Sequence, residues 1–200
     1  MELDRPLLTY PGTVVYIDNE ASAEKFCQEV FSIPGEVSCG MDVEWPVTYQ
    51  AGSQAKVALL QVCCGDDKCY LFHLTAIGTL PTCVKRLLCA TRVKKVGLGI
   101  HNDLWKLERD YQVPASYVIR SSALELGTLA NQILNSAEKW SLDGLTRHLL
   151  KKKLNKDVRM EDWSIVPLSD EQKSYAAVDA YASLEIYHAL MAKQVERLGK

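Results

Sequence analysis

Two carboxylates with one residue between them stand in the stretch Cys39-Gly40-Met41-Asp42-Val43-Glu44-Trp45-Pro46. In an extended chain alternate side chains share a face, so Asp42 and Glu44 point the same way, about 7 Å apart along the backbone. Like charges so placed are costly unless a cation or a proton compensates them. The chemistry open to the pair is half of a metal site at a strand's exit, with Val43 turned into the core. Asp-x-Glu alone reads more readily as two solvated acids at a strand end.

Two further stretches extend the set. In Tyr175-Ala176-Ala177-Val178-Asp179-Ala180-Tyr181-Ala182, Tyr175 and Asp179 lie one helical turn apart on one face. The surrounding alanines let a backbone come close to a sheet, although the pattern also fits a half-buried helix with Asp179 solvated. Asp103 opens a helix directly after a strand within residues 97–107, where a carboxylate is also an ordinary stabilising feature. Four carboxylates suit hard, oxygen-preferring ions such as Mg²⁺ or Mn²⁺. The seven cysteines, Cys27, Cys39, Cys63, Cys64, Cys69, Cys83 and Cys89, are odd in number and contain no C-x-x-C. They read as buried thiols rather than a disulfide framework or a zinc site.

The elements that must position these acids follow from periodicity. Residues 13–17 are β-branched and short, a strand, and Asp18-Asn19 offers an N-cap to a helix over 21–31 that ends before Pro34-Gly35. The acidic strand spans 37–45. After a polar loop at 47–54, the apolar run 57–64, the turn Gly65-Asp66-Asp67-Lys68 and the run 69–74 form a hairpin. Three consecutive strands with short connections predict antiparallel pairing. A helix over 83–88, a strand over 93–100, a helix over 103–111, a strand within 117–126 and a helix over 129–134 then alternate, which predicts parallel additions to the sheet. Leu142, Leu145, Leu149 and Leu150 form one helical face. A long last helix begins at Ser169, where Ser169-Asp170-Glu171-Gln172 has the form of a capping box. No repeat or linker divides the chain, which predicts one domain.

Composition narrows the classes. Of 200 residues, 48% are hydrophobic and 24% charged, a globular balance, and the net charge of −2 gives no global sign of nucleic-acid binding. Any such role rests on local charge. Within residues 144–160, Arg147, Lys151, Lys152, Lys153, Lys156 and Arg159 face a single acid, Asp157, either as phosphate contacts or as a solvated helix end. Lys94, Lys95, Lys106 and Arg109 are similarly ambiguous. Trp45 and Trp105 each fall within two residues of a candidate ligand, so that an indole stacks on a terminal base or packs in the core. No signal peptide, membrane-length apolar run or Gly-x-x-x-x-Gly-Lys-Ser/Thr loop is present, so a soluble intracellular chain without a nucleotide-driven motor is expected.

Taken together, Asp42-x-Glu44, Asp103 and Tyr175-x-x-x-Asp179 resemble the signature of the DnaQ-like, or DEDD, exonucleases. The position that carries histidine in one subtype is Ser174, so the chain resembles the tyrosine subtype that includes ribonuclease D. Residues 42–46, 56–61, 68–73, 105–107, 140–142 and 167–173 resemble a DNA-acting branch of that family, and His101-Asn102 departs from it. The resemblance implies a ribonuclease H-like, DnaQ-type α/β fold: a mixed sheet of about five or six strands flanked by helices, with the acids at one end. It implies a 3′-to-5′ exonuclease that uses two divalent cations, Mg²⁺ or Mn²⁺, and releases nucleoside monophosphates. In that pattern Asp42 bridges both ions, Glu44 and Asp179 hold the one that binds the attacking water, Asp103 serves the second, and Tyr175 orients the water. The implied partner is nucleic acid, DNA before RNA, with a nuclear role in DNA repair. Trp45, Trp105 and Arg147 are the candidate substrate contacts. A ribonuclease D-like RNA-trimming enzyme and a scaffold without catalysis are the alternatives.

Overall fold

In the computed structural model, which describes residues 5–47, 55–155 and 161–199, alternating β-branched and apolar runs form six strands. They are β1 (Thr13–Ile17), β2 (Val37–Glu44), β3 (Leu59–Cys63), β4 (Lys68–His73), β5 (Val93–Gly97) and β6 (Ala123–Glu125). Among the described residues they make one mixed sheet in the order β1-β4-β3-β2-β5-β6. The meander β2-β3-β4 is antiparallel, and β5 and β6 add in parallel, as the connections predict. The first strand lies parallel to β4 at the far edge, carried there by the crossing α1 (Glu20–Ser32).

The remaining helices are α2 (Leu74–Ile77), α3 (Thr82–Cys89), α4 (Ile100–Tyr111), α5 (Ala115–Ser121), α6 (Leu126–Leu134), α7 (Leu142–Leu145) and α8 (Asp170–Leu198). Two boundaries depart from the sequence reading. Gly99, in the left-handed region at φ 80°, lets the chain turn sharply, so β5 stops at Gly97 and α4 starts at Ile100. Asp103 therefore sits in the first turn of that helix and does not open it. The strand expected within 117–126 is there as β6, preceded by α5, in which Ala115 and Val118 are buried three residues apart, a helical spacing. The leucine-lined helix at 142–150 is α7 followed by a π-helical turn, Thr146–Leu150. The last helix agrees closely with its signal. Ser169 caps it, its hydroxyl accepting from Gln172 N while the Gln172 side chain accepts from Ser169 N.

The sheet separates two cores. On one face Cys39, Met41 and Val43 of β2 pack with residues of α1, α3, α4 and α5. On the other, Leu59, Cys63 and Leu71 meet α6 and the alanines Ala176, Ala177 and Ala180 of α8. Here β2 and α8 approach so closely that a Cβ built on Gly40 falls 1.9 Å from the Ala180 carbonyl oxygen. The cysteines are free thiols, and five of the seven are buried.

Candidate metal centre

Strand alternation delivers Asp42 and Glu44 to the α8 side of the sheet, while α8 delivers Asp179 two and a half turns after its capped start. The three carboxylates each offer an oxygen, and these oxygens all lie within 4.8 Å of one another. Val43 N donates to the Asp42 carboxylate at 2.9 Å and fixes its direction. Asp103 arrives from α4 and stands outside that tight group, yet it feels the charge of Asp42. Burial, then the charges of Asp42 and Glu125, push its carboxyl up to about 9.

Tyr175 stands one turn before Asp179. Its phenol lies far above the ordinary range, first through burial, then through the charges of Asp179 and Glu44 and a hydrogen bond with Asp179. It therefore stays protonated at neutral pH, a state suited to donating a hydrogen bond rather than to abstracting a proton. Its ring centroid is 5.9 Å from that of the buried Trp163. A cavity of about 380 Å³ opens beside it, bordered by Leu8, Thr9, Asn155, Ser174 and Asp179.

The substrate candidates fall differently. Trp45 and Trp105 are 38% and 49% exposed, so neither is a core indole, and Trp45 covers the Lys106 ammonium 5.4 Å from its ring centroid. Arg147 pairs through Nε with Asp143 at 2.9 Å. Lys156, Asp157 and Arg159 lie outside the described residues. Lys95 and Lys106 are buried and structural: Lys95 donates to the Ala90 and Val93 carbonyls and to Ser122, Lys106 to the Ala55 carbonyl and Asp110. Lys94 pairs with Glu36 at 2.8 Å, and Arg109 lies 3.6 Å from Asp110.

Sequence reasoning missed two residues of this region. Glu125 accepts from Gly99 N at 2.9 Å and Gly127 N at 3.3 Å, and so fastens the β5–α4 turn that presents Asp103. No local pattern marks it. Gln61 is wholly buried, and neither atom of its side-chain amide has a hydrogen-bond partner. Each such unmade bond costs about 1–3 kcal/mol. It sits directly across the β2–β3 ladder from Asp42, and its signal was a lone amide in an otherwise apolar strand. The donor set, all carboxylate oxygen with an unspent amide behind it, fits a hard divalent ion.

A six-stranded mixed sheet with acids gathered at one end, from β2 and α8, defines a ribonuclease H-like nuclease fold. It superposes on Escherichia coli RNase D, an exoribonuclease involved in structured RNA processing, with a TM-score of 0.76 over 90% of this chain and 45% of that one, at 20% identity. Residues 14–195 match the family model described as 3'-5' exonuclease, and the chain belongs to that family of divalent-metal-dependent hydrolases. It is 44% identical over 195 residues to the bifunctional 3'-5' exonuclease/ATP-dependent helicase WRN of Mus musculus, covering 95% of this chain and 13% of that protein. It is 32% identical over 200 residues to a 3'-5' exonuclease of Drosophila erecta, covering 96% and 56% respectively. The chain thus spans 13% of the first of these relatives and little more than half of the second. No helix among the described residues is long and apolar enough to cross a membrane.

Proposed function

We propose that this chain removes nucleoside monophosphates from the 3′ end of DNA with two divalent cations, Mg²⁺ or Mn²⁺, as part of nuclear DNA repair. The observation that carries the reading is the convergence of Asp42, Glu44 and Asp179 within 4.8 Å, with a protonated tyrosine one turn away. Asp42, Glu44 and Asp179 hold the ions, and Asp103 contributes from α4. Bound divalent ions supply a water acidified toward neutrality and neutralise charge on the phosphoryl oxygens. With ions bound, the Tyr175 hydroxyl would orient such a water, and its ring against Trp163 holds the hydroxyl in place. Trp45 and Trp105 stack on bases at the strand's end, and Arg147 meets the phosphate backbone.

The DNA reading is supported by the likeness of 42–46 and 56–61 to the DNA-acting branch and by the identity to the exonuclease/helicase. An RNA-trimming activity is supported by the fold shared with RNase D. A time course on 5′-labelled 3′-recessed duplex, single-stranded DNA and matched RNA, with Mg²⁺, Mn²⁺ or EDTA, decides between them. A metal-dependent ladder shortening from the 3′ end of DNA is expected. Internal cuts, or degradation that persists in EDTA, would overturn the proposal, and RNA alone being shortened would move it to the second reading.

A further inference from the structure

Among the described residues, the buried side-chain polar atoms without a partner are the Trp163 Nε1 and both amide atoms of Gln61, and Gln61 is the one that lies across the sheet from the acids. It sits at the middle of β3 with no solvent exposure, and both Nε2 and Oε1 lack partners. A native protein keeps such a group when a water, an ion or a catalytic neighbour satisfies it in the working state. Its register partner across the antiparallel ladder is Asp42, and Glu44 pairs with Leu59 on the same face. Directly opposed residues hold their Cβ atoms about 5 Å apart. An amide on a glutamine stem spans that gap to a carboxylate. On the other side Ala180 and its neighbours on α8 close over β2 at Gly40, so bulk water does not reach Gln61.

We propose that Gln61 is a positioning residue of the metal centre, whose Nε2 donates to the Asp42 carboxylate when ions are bound. The amide then fixes which Asp42 oxygens face the ions, as partners of metal-bound carboxylates do. This rests on the reading of Asp42, Glu44 and Asp179 as ion ligands. It assigns to Gln61 a role that a glutamine kept only for packing, or only to hold one buried water, does not have.

The test is Mn²⁺ binding, followed by the loss of the free-ion electron paramagnetic resonance signal, beside thermal unfolding in EDTA. The proteins are wild type, Gln61→Met, Gln61→Leu and Asp42→Asn. Gln61→Met keeps the volume and removes both polar atoms, and Gln61→Leu serves if the methionine variant does not fold. The expected result is unfolding in EDTA at or above the wild-type temperature, with Mn²⁺ affinity lower by about 10- to 100-fold. Affinity within twofold of wild type overturns the proposal and leaves Gln61 as the seat of a buried water. Loss of affinity together with a lowered unfolding temperature in EDTA also overturns it, because a packing defect then explains both. Wild type without saturable Mn²⁺ binding, or Asp42→Asn binding as tightly as wild type, overturns the ion-ligand reading itself and is told apart from a failure confined to Gln61.

Discussion

The two faces of β2 put the same eight residues to opposite uses. Toward α1 and α4 the strand presents Val37, Cys39, Met41 and Val43, all buried and apolar. Toward α8 it presents Gly40, Asp42 and Glu44, with the unsatisfied Gln61 alongside. The first face lowers the free energy of the fold by removing apolar surface from water. The second raises it by crowding like charges and leaving an amide unmatched, a cost that ligands of the folded state offset. The lesson is that stability and chemistry are divided by strand parity, one residue apart.

The sharpest way to break that division is a pair of neighbouring substitutions. Asp42→Asn is expected to lower nuclease activity about 10³-fold or more while the metal-free protein melts no lower than wild type, since one repelling charge is gone. Met41→Ala is expected to cost about 2–5 kcal/mol of stability and to keep its turnover below the melting transition. Denaturant unfolding and a labelled-DNA assay on both variants decide. If Asp42→Asn unfolds as easily as Met41→Ala, the two faces are not separable in this way.

Gly40→Ala tests the division from the other side, because it adds no charge and yet lies on the face of the acids. Its methyl group meets the Ala180 carbonyl, backbone against backbone, so α8 must move and carry Asp179 with it. A loss of about 3 kcal/mol together with a fall in Mn²⁺ affinity is expected. A stable variant with normal ion binding would show that α8 slides without disturbing the acids.

Tyr175→Phe is a smaller lesion. The ring keeps its contact with Trp163, and the hydroxyl bonded to Asp179 is lost. Activity is expected to fall about 10- to 100-fold while Mn²⁺ affinity and melting temperature hold, a split read by single-turnover kinetics. Loss of ion binding would instead make the hydroxyl a support for Asp179.

What the sequence displayed and what it hid follow the same physics. Strand and helix periods put Asp42 with Glu44 and Tyr175 with Asp179 on shared faces, but only the family resemblance of all the stretches together made them legible as one site. Ser169 and Gln172 were legible as a cap from their spacing alone. The placement of β1 beside β4 was not, because it depends on where α1 crosses the sheet. Glu125 and Gln61 were hidden because their meaning comes from partners across the sheet and not from spacing. Lys95 and Lys106, open in the sequence to phosphate contact or solvation, are buried instead: the nearby Ala90 and Val93 carbonyls hold Lys95, and the Ala55 carbonyl, distant in sequence, holds Lys106. The acid that stands apart, Asp103, was found by its motif, but its distance from the other three depends on the turn that Glu125 fastens.

That separation gives the smallest of the expected effects, and it again sets one side of the sheet against the other. Asp103 belongs to a helix of the apolar face, and burial, then the charges of Asp42 of β2 and Glu125 of β6, hold its carboxyl up to about 9. Between the ordinary carboxylate value of 3.8 and about 9, the metal-free folded protein therefore keeps a proton that the unfolded chain has lost. Stability falls with rising pH wherever the folded state binds more protons, so this group's contribution declines across that window and is fully lost above it. Other groups run the opposite way. His73 is held below its usual 6.5 and Lys95 down to about 8, both first by burial, and Cys63 is also lowered, first by its bond with Cys69. Comparison of wild type with Asp103→Asn in EDTA cancels them, because only the first protein carries the carboxyl. The difference in melting temperature is expected to grow in favour of Asp103→Asn from pH 5 to pH 8, roughly within the window of that one group. A difference that is flat in pH would mean that Asp103 is already ionised in the folded protein, and that α4 delivers a full charge to the site before any ion arrives.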